Sequence, residues 1–280
     1  MKKLGNRRVT GTEQYYTPKD LAAQLSKVVI DLVGTHRHFL EPAGGTGVFI
    51  DALNSLGVEQ IESVDIHPKH PAVLNADFLK FTPDRQDLVC ISNPPFGRNN
   101  ALAVPFFNHA ANFSDLIAFL VPRSWRKWSV INRLDQRFHL VEEIDVSVNY
   151  VSEFGEQFGL RNDLRSCFQV WEKRESPRGF IKVNDNRLIE KCPPADADIA
   201  IRVFGYGCGA VFRDFDRKPN TTLMFLRVLD RKVFNVIEGL DYSRFKNNTA
   251  YTQALALPEI NFLLNEALFS DPMLRFEAYK

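Results

Sequence analysis

The feature that most restricts the fold of this chain is a regular alternation of short apolar strands with amphipathic helices. Strands are predicted at residues 38–41, 60–65, near 73, 87–92, 115–121, 141–146 and 167–172, and helices at 47–56, 102–113 and 130–138. Strands that alternate with helices favour a mostly parallel sheet with helices on both faces. Because crossover connections are right-handed, the pattern predicts a doubly wound α/β fold.

The segments on either side of this alternation differ in character. The basic stretch 1–12 is predicted to form an arm. A helix is predicted to begin at Thr17-Pro18-Lys19-Asp20, with Thr17 as the cap and Pro18 at the first helical position. After about residue 174 the rhythm is lost, and 184–194 and 214–222 have the composition of loops. We therefore expect a main domain at 13–175 and a smaller appended region at 176–280, with mixed strands.

Composition argues against several classes of protein. The first residues lack the apolar core of a secretory signal, and no apolar run approaches about 18 residues, so we expect a cytoplasmic protein with no membrane span. The four cysteines form no C-x-x-C pair, and no histidine stands at zinc-finger spacing; they are Cys90, Cys167, Cys192 and Cys208. Reduced thiols and no metal site are therefore expected. No feature of the sequence indicates an oligomeric state.

Charge is unevenly distributed, although the net charge is only +1. Residues 123–137 carry five basic residues and one acid, and residues 202–232 carry seven basic residues and three acids. Basic patches on a near-neutral protein fit contact with phosphates, and solvated helix faces explain the same pattern equally well. In PRSWRKW (residues 122–128), basic side chains are interleaved with Trp125 and Trp128, which suits nucleic-acid contact near the mouth of a site as well as it suits a packed loop.

An acid followed by a glycine-rich turn lies near the start of the alternation, in residues 39–53 (FLEPAGGTGVFIDAL). Gly44, Gly45 and Gly47 allow the backbone to approach a ligand closely, and the N-terminus of the following helix can face a polar or anionic group. The carboxylate of Glu41 distinguishes this turn from a pyrophosphate site. It suits the cationic part of a ligand, such as an α-amino group.

Two further acids follow the next strands. Asp65 ends a strand in SVDIHP, where a carboxylate commonly holds ribose hydroxyls; a strand-end cap is the alternative. In NADF, Asp77 is placed to accept from an adenine amine while Phe78 or Ile66 packs on the ring. A turn followed by a core aromatic produces the same pattern.

The most specific segment is Ser92-Asn93-Pro94-Pro95-Phe96-Gly97, directly after an apolar strand. The two prolines fix the backbone and have no N–H, so carbonyls can point outward with no donors beside them. The Asn93 side-chain oxygen and the Pro94 carbonyl can then accept from one –NH2 group and stabilise the ammonium that develops on it. Phe96 offers a stacking face for the planar ring that carries the amine.

Together these motifs resemble the amino-methyltransferases with a class I S-adenosylmethionine fold, in the order found in the γ group of DNA adenine-N6 methyltransferases. Gln14-Tyr15-Tyr16-Thr17-Pro18 is similar to the opening segment, and FLEPAGGTG, VDIHP, NADFL and ISNPPFG follow in the family's order. The resemblance covers about residues 13–172. It implies a Rossmann-like sheet, S-adenosylmethionine as the cofactor and DNA as the substrate, with methylation of the restriction–modification kind.

The resemblance also implies roles for individual residues. Those implied to line the cofactor are Tyr16, Thr17, Glu41, Ala43, Gly44, Gly47, Asp65, Ile66, Asp77, Phe78 and Asn93. Those implied to be catalytic, by holding the flipped base, are Asn93, Pro94, Pro95 and Phe96. Further candidates for substrate contact are Phe168, Arg123, Trp125, Arg126 and Arg202. For Phe168, a second aromatic face for the base and a buried sheet aromatic are equal alternatives.

The appended region departs from the family because it contains no recognition module that we identify, which leaves the target sequence open. Within it, residues 202–212 combine Arg202 with aromatics and three glycines. Such a stretch suits a loop that meets nucleic-acid bases or, slightly better, a tight β-hairpin with bulges.

Three other functions remain compatible with the motifs. The same Asn-Pro-Pro segment serves adenine methyltransferases acting on RNA, enzymes that methylate a glutamine amide in proteins, and, more often with Ser in place of Asn93, cytosine-N4 enzymes. The protein methyltransferases have a helical N-terminal domain that the short segment before Gln14 does not provide. A catalytically inactive nucleic-acid-binding subunit is a further alternative, against which the intact Glu41, Asp65 and Asn93 argue.

Overall fold

The computed structural model describes residues 15–152, 154–156 and 164–275, so the predicted arm at 1–12 lies outside it. The chain divides into two compact units. The first comprises Met1–Pro122 and Ser129–Gly179, and the second comprises Arg123–Trp128 and Phe180–Lys280.

A seven-stranded sheet with the order β3-β2-β1-β4-β5-β7-β6 forms the first unit. Its strands are β1 (Phe39–Glu41), β2 (Ile61–Asp65), β3 (Leu74–Asn75), β4 (Leu88–Ser92), β5 (Ser114–Pro122), β6 (Phe138–Ser147) and β7 (Arg165–Lys173). Neighbours from β3 to β5 pair in parallel, and β7 runs antiparallel to both β5 and β6. The order reverses between β1 and β4, and open sheets of this kind bind ligands at the carboxyl ends beside such a reversal. The predicted α/β doubly wound sheet is confirmed.

Burial explains why these strands form. All five residues of β4, Leu-Val-Cys-Ile-Ser, are buried, as are eight of the nine residues of β5. Runs buried on both faces are typical of parallel strands covered by helices on each side. The central strands therefore hold their carboxyl ends in fixed positions.

Helix α1 (Lys19–Val33) precedes β1, while α2 (Val48–Ser55) connects β1 to β2 and α3 (Ala103–Ala110) lies between β4 and β5. The prediction that Thr17 caps α1 is wrong, because Pro18 occupies the cap position and, among the residues that the structure describes, no side chain caps the helix. The helix predicted at 130–138 is also wrong in extent. Only one turn forms, α4 (Trp128–Ile131), since Phe138 already begins β6 and the intervening residues make tight turns.

An antiparallel four-stranded sheet, in the order β10-β9-β11-β8, forms the second unit. Its strands are β8 (Ile189–Lys191), β9 (Ile199–Arg202), β10 (Val211–Phe212) and β11 (Leu223–Val228), with helices α5 (Ser243–Lys246) and α6 (Leu257–Phe269). The loop predicted at 184–194 is wrong because β8 pairs with β11 inside it. The hairpin favoured for 202–212 is confirmed by the pairing of β9 with β10.

The segment Arg123–Trp128 is tied into the second unit by an ion pair. Lys127 Nζ donates to both carboxylate oxygens of Glu259, at 2.6 and 2.9 Å, and the Glu259 side chain is 5% exposed. Glu259 also accepts from the Ala256 N–H at 2.8 Å, at the start of α6. One buried carboxylate therefore holds the segment and a helix start together.

Removing the lysine should destabilise the second unit strongly. In Lys127→Met, Glu259 stays buried without its cation, so we expect a loss of about 3–5 kcal/mol in the free energy of unfolding. Urea unfolding followed by tryptophan fluorescence measures this, because Trp125 and Trp128 both lie in the second unit. Lys27→Met, which breaks an exposed pair with Asp31, is the control and should cost less than about 1 kcal/mol. Equal losses in the two variants would contradict the role given to Glu259.

Other features bear on the exclusions drawn from composition. All four cysteines are free. Among residues 15–152, 154–156 and 164–275, no cluster of three or more His, Cys, Asp or Glu side chains is arranged to hold a metal ion. No helix within the same ranges is long and apolar enough to cross a membrane.

Candidate active site

A cavity of about 610 Å³ lies in the first unit, at the carboxyl ends of β1, β2 and β4. Pockets for small ligands commonly measure about 300–1,000 Å³. The structure brings twelve of the predicted site residues to its walls: Tyr16, Thr17, Ala43, Gly44, Asp65, Ile66, Asp77, Phe78, Asn93, Pro94, Pro95 and Phe96. Segments far apart in the chain thus converge on one space.

The glycine turn after β1 forms one wall. The Gly44 N–H donates to the Val64 carbonyl at 3.1 Å, and a Cβ on Gly44 would lie 2.2 Å from Ser63 Oγ, so only glycine lets the turn pack this closely on β2. Gly47 has φ +77° and its N–H donates to the Gly44 carbonyl at 2.7 Å. Gly47 does not line the cavity, and its role is to close the turn before α2.

Glu41 lies beneath this turn and is fully buried. Its Oε1 accepts from Ser92 Oγ at 2.5 Å and from the Ala43 N–H at 3.3 Å. Burial raises the pKa of Glu41 to about 8; the two hydrogen bonds oppose the shift, and the charge of Asp65 adds to it. Glu41 is therefore a buried acid adjacent to the cavity wall, and a nearby cation would favour its ionised form.

Asp65, at the end of β2, has a carboxylate fixed by the backbone. Oδ2 accepts from the Gly45 N–H at 2.9 Å and Oδ1 from the His67 N–H at 2.8 Å. Each oxygen has a second lone pair for an additional donor. The side chain is thus oriented at the cavity wall and suits vicinal hydroxyls.

The next part of the wall is apolar. Ile66 is 57% exposed and Leu79 is 38% exposed, although both line the cavity. Phe78 lies behind them with its ring against Phe106 and His109, at centroid distances of 5.1 and 4.9 Å. Exposed aliphatic side chains in a concave site provide a surface for a flat ring.

Asp77 borders the same apolar wall. Its carboxylate accepts from the Leu79 N–H at 3.1 Å and lies 3.2 Å from Lys80 Nζ. These contacts keep an acceptor group beside the exposed aliphatic side chains.

The Asn-Pro-Pro-Phe segment provides the opposite wall. Asn93 Nδ2 donates to the Tyr15 carbonyl at 2.6 Å, which fixes the amide because a carbonyl can only accept. Asn93 Oδ1 is buried and has no hydrogen-bond partner among the described residues. A buried acceptor without a donor is costly, and at a cavity wall it marks a place for a ligand N–H.

The residues present fit S-adenosylmethionine. Thr17 Oγ1 is a second buried polar atom at the cavity wall without a partner in the described part of the chain. A ligand with a polar amino-acid end, ribose hydroxyls and a flat base would meet Thr17 and the acid–glycine turn, then Asp65, then Ile66 and Asp77. The donor and acceptor chemistry of the cavity follows that order.

Several predicted substrate contacts lie outside this cavity. Phe168 is fully buried in the centre of β7, opposite Leu120 of β5 and Ile144 of β6, so it is a sheet aromatic here and presents no free face. Trp125 is also fully buried, which contradicts an exposed stacking role. The other three candidates belong to the second unit: Arg123, Arg126 and Arg202, of which Arg202 lies over the Phe212 ring.

The structure adds cavity residues to which the sequence analysis gave no role: Tyr15, His67, Leu79, Leu102 and Phe106. Tyr15, His67 and Leu79 lie within the motifs that carry the resemblance, so their positions offered a signal. Leu102 and Phe106 are brought in by the turn after Gly97, where Asn99 and Asn100 adopt left-handed φ angles of 55° and 60°. No sequence pattern indicated that turn.

The strand order with its antiparallel β7, and the acid–glycine turn beside the Asn-Pro-Pro-Phe segment, define a class I methyltransferase fold. No protein-family model matches the chain. Over 90 residues it is 33% identical to the type II methyltransferases M.HincII and M.HindII of Haemophilus influenzae. That similarity confirms the resemblance at the level of the family and, with it, S-adenosylmethionine as the cofactor. The match spans 30% of this chain and only 17% of each relative.

Solved structures show more distant likenesses. A candidate RNA methyltransferase from Pyrococcus horikoshii has a TM-score of 0.46 and 19% identity, with coverage of 58% of this chain and 87% of its own. A candidate class I methyltransferase from Listeria monocytogenes has a TM-score of 0.45, 17% identity and coverage of 58% and 63%. The modification subunit of a candidate type I restriction enzyme from Vibrio vulnificus has a TM-score of 0.41 and 16% identity, with coverage of 62% of this chain and 48% of its own. The fold class rests on the strand order and not on these scores.

Proposed function

We propose that this protein transfers a methyl group from S-adenosylmethionine to N6 of an adenine that is flipped out of DNA. The observation that carries the proposal is the buried, unpartnered Oδ1 of Asn93 at the cavity wall, next to two prolines. That atom requires a donor, and an exocyclic –NH2 provides two.

In the proposed reaction, the protein positions and polarises the amine. Asn93 Oδ1 and the Pro94 carbonyl accept the two N–H groups, which orients the nitrogen lone pair and stabilises the positive charge that develops on it. Pro94 and Pro95 lack a backbone N–H, so neither proline can donate to these two acceptors in place of the amine. The bond from nitrogen to the methyl carbon forms as the bond from that carbon to the cofactor's sulfur breaks, with S-adenosylhomocysteine as the leaving group. The resulting ammonium then gives a proton to water, so no strong general base is needed.

S-adenosylmethionine, when bound, supplies an electrophilic methyl group on its sulfonium. Thr17 and Glu41 are proposed to hold its methionine end, with Tyr16, Ala43 and Gly44 beside them. Asp65 is proposed to hold the ribose hydroxyls, and the adenine of the cofactor to lie against Ile66, Phe78 and Asp77. Holding both reactants at fixed positions in one cavity removes much of the entropic barrier to reaction.

DNA is the proposed substrate because the motif order resembles the γ group of DNA adenine-N6 methyltransferases and the curated relatives are type II methyltransferases. A base buried in a duplex must be extruded to reach the cavity, at a cost of a few kcal/mol. Phe96 is proposed to stack on the extruded base. Arg123, Arg126 and Arg202 remain proposed phosphate contacts, and Trp125 is withdrawn from that group because it is buried.

The class of acceptor is tested by transfer of a labelled methyl group. Purified protein is incubated with methyl-labelled S-adenosylmethionine and, separately, unmethylated duplex DNA, single-stranded DNA and structured RNA. We expect label in DNA, and none with Asp65→Ala, which removes the proposed ribose ligand. Label in RNA alone would keep the chemistry and replace the substrate. No label in any nucleic acid, despite cofactor binding measured by calorimetry, would contradict the proposal.

A further inference from the structure

The proposed base site has a second aromatic side chain that the motifs did not assign. Phe96 is only 6% exposed, because two tyrosines cover its ring. Tyr15 lies over it with ring planes 24° apart, and Tyr150 meets it edge-on at a centroid distance of 6.4 Å. A base that stacks on Phe96 must therefore share the space between Phe96 and one of these rings.

The spacing singles out Tyr15. Its ring is nearly parallel to that of Phe96, with centroids 6.0 Å apart. A planar base between two parallel rings needs about 7 Å, twice the stacking distance of bases in a duplex. Tyr15 must therefore move away from Phe96 to admit a base, and both residues line the cavity into which the base would enter. The T-shaped arrangement of Tyr150 on Phe96 offers no such slot.

The remaining contacts link Tyr15 to Asn93, whose side-chain oxygen is the proposed acceptor for the amine. The Tyr15 carbonyl is the partner of Asn93 Nδ2, so one residue contributes both the ring opposite Phe96 and the group that orients the amide. Tyr16 makes a two-hydrogen-bond bridge with Val151, at 3.2 and 3.0 Å, which holds the segment in place.

Behind this segment Tyr150 is buried, its ring 5.3 Å from that of Tyr15 and its hydroxyl 3.0 Å from Ser166 Oγ. Tyr150 is thus a fixed support. Tyr15 is half-buried, so displacing its ring disturbs the core less than displacing that of Tyr150 would.

We propose that Tyr15 is the second aromatic face of the base pocket, so that the target base lies between Phe96 and Tyr15 with its amine at Asn93. The inference rests on the proposed function. It assigns to Tyr15 the role that the resemblance gave to Phe168, whose ring is buried in the sheet.

Variants at Tyr15 test this. The substrate is a long, unmethylated molecule of the nucleic acid that the wild-type protein methylates, and it contains many different short sequences so that the target is present. Tyr15→Leu removes the ring and should lower kcat/KM by about 10- to 100-fold, the range found for loss of one base–aromatic stack. Tyr15→Phe retains the ring and should stay within about threefold of wild type. Cofactor affinity, measured by calorimetry, should be the same in all three proteins within about threefold.

The possible results separate the two proposals. Wild-type activity in Tyr15→Leu would overturn the role of Tyr15 and leave the proposed function intact. Equal losses of activity, cofactor affinity and thermal stability in Tyr15→Leu would also overturn it, because they indicate a packing role. A wild-type protein that methylates no nucleic acid would remove the proposed function and this inference together.

Discussion

Asn93→Ala should lower the rate of methyl transfer by about 100- to 1,000-fold, with a much smaller effect on cofactor affinity. Removal of one preorganised group that stabilises developing charge typically costs that much in kcat. In this protein the amide is oriented by its bond to the Tyr15 carbonyl, and its oxygen is the buried acceptor with no partner in the described chain. Single-turnover transfer of labelled methyl, with cofactor at saturation, measures the effect on the chemical step.

The matched control is Asn112→Ala, which truncates an exposed asparagine whose amide donates to the Asn108 carbonyl at 3.4 Å. It should react at the wild-type rate. A fall of less than about tenfold in Asn93→Ala would show that the Pro94 carbonyl and positioning suffice. That result would contradict the proposed role of the Asn93 amide in stabilising the positive charge on the amine.

The second large effect is expected from Glu41→Gln. Glutamine keeps the shape of the side chain and an oxygen for Ser92, and it cannot carry the negative charge. Because a hydrogen bond to a charged group contributes about 1.5–3 kcal/mol, we expect cofactor affinity to fall by about 10- to 100-fold. Calorimetric titration of S-adenosylmethionine checks this. Glu59→Gln, at an exposed position, should bind as wild type does.

The same substitution should change the pH dependence of stability in the ligand-free protein. The pKa of Glu41 is raised from 4.5 to about 8 in the folded state, so between those pH values the folded protein binds a proton that the unfolded chain has released. That contribution to stability is complete below pH 4.5 and is lost as pH rises through 8. Relative to wild type, Glu41→Gln should therefore gain about 1.4 kcal/mol per pH unit between pH 5 and 8.

Urea unfolding at pH 5, 6.5 and 8 measures that gain. A difference between the two proteins that does not vary with pH would contradict the burial of a neutral carboxyl at Glu41. A gain in stability accompanied by unchanged cofactor affinity would leave the burial in place and remove the proposed contact with the methionine end.

Local patterns predicted much of the sheet because its strands depend on short-range sequence. The buried run of β4 and the alternation up to β5 were visible as apolar segments between turns, and they placed Glu41, Asp65 and Asn93 at strand ends. Carboxyl ends of parallel strands meet at one edge, so these three residues could be expected near a common site.

What the sequence did not predict depends on contacts between distant segments. The partner of the Asn93 amide is a backbone carbonyl 78 positions earlier, and a carbonyl leaves no trace in residue type. An aromatic residue in a strand is equally compatible with a base pocket or a core. For Phe168, the pairing of β7 with both β5 and β6 places the residue in the core. The short strand β8 lacked any periodicity and forms because β11 offers an edge.

The most direct test of the central claim is the identity of the methylated nucleoside. Unmethylated duplex DNA is incubated with the wild-type protein and S-adenosylmethionine carrying an isotopically labelled methyl group, digested to nucleosides and resolved by mass spectrometry. The proposal predicts that the label appears in N6-methyladenine. Label in N4-methylcytosine, or no labelled nucleoside from a protein that binds the cofactor, would contradict it.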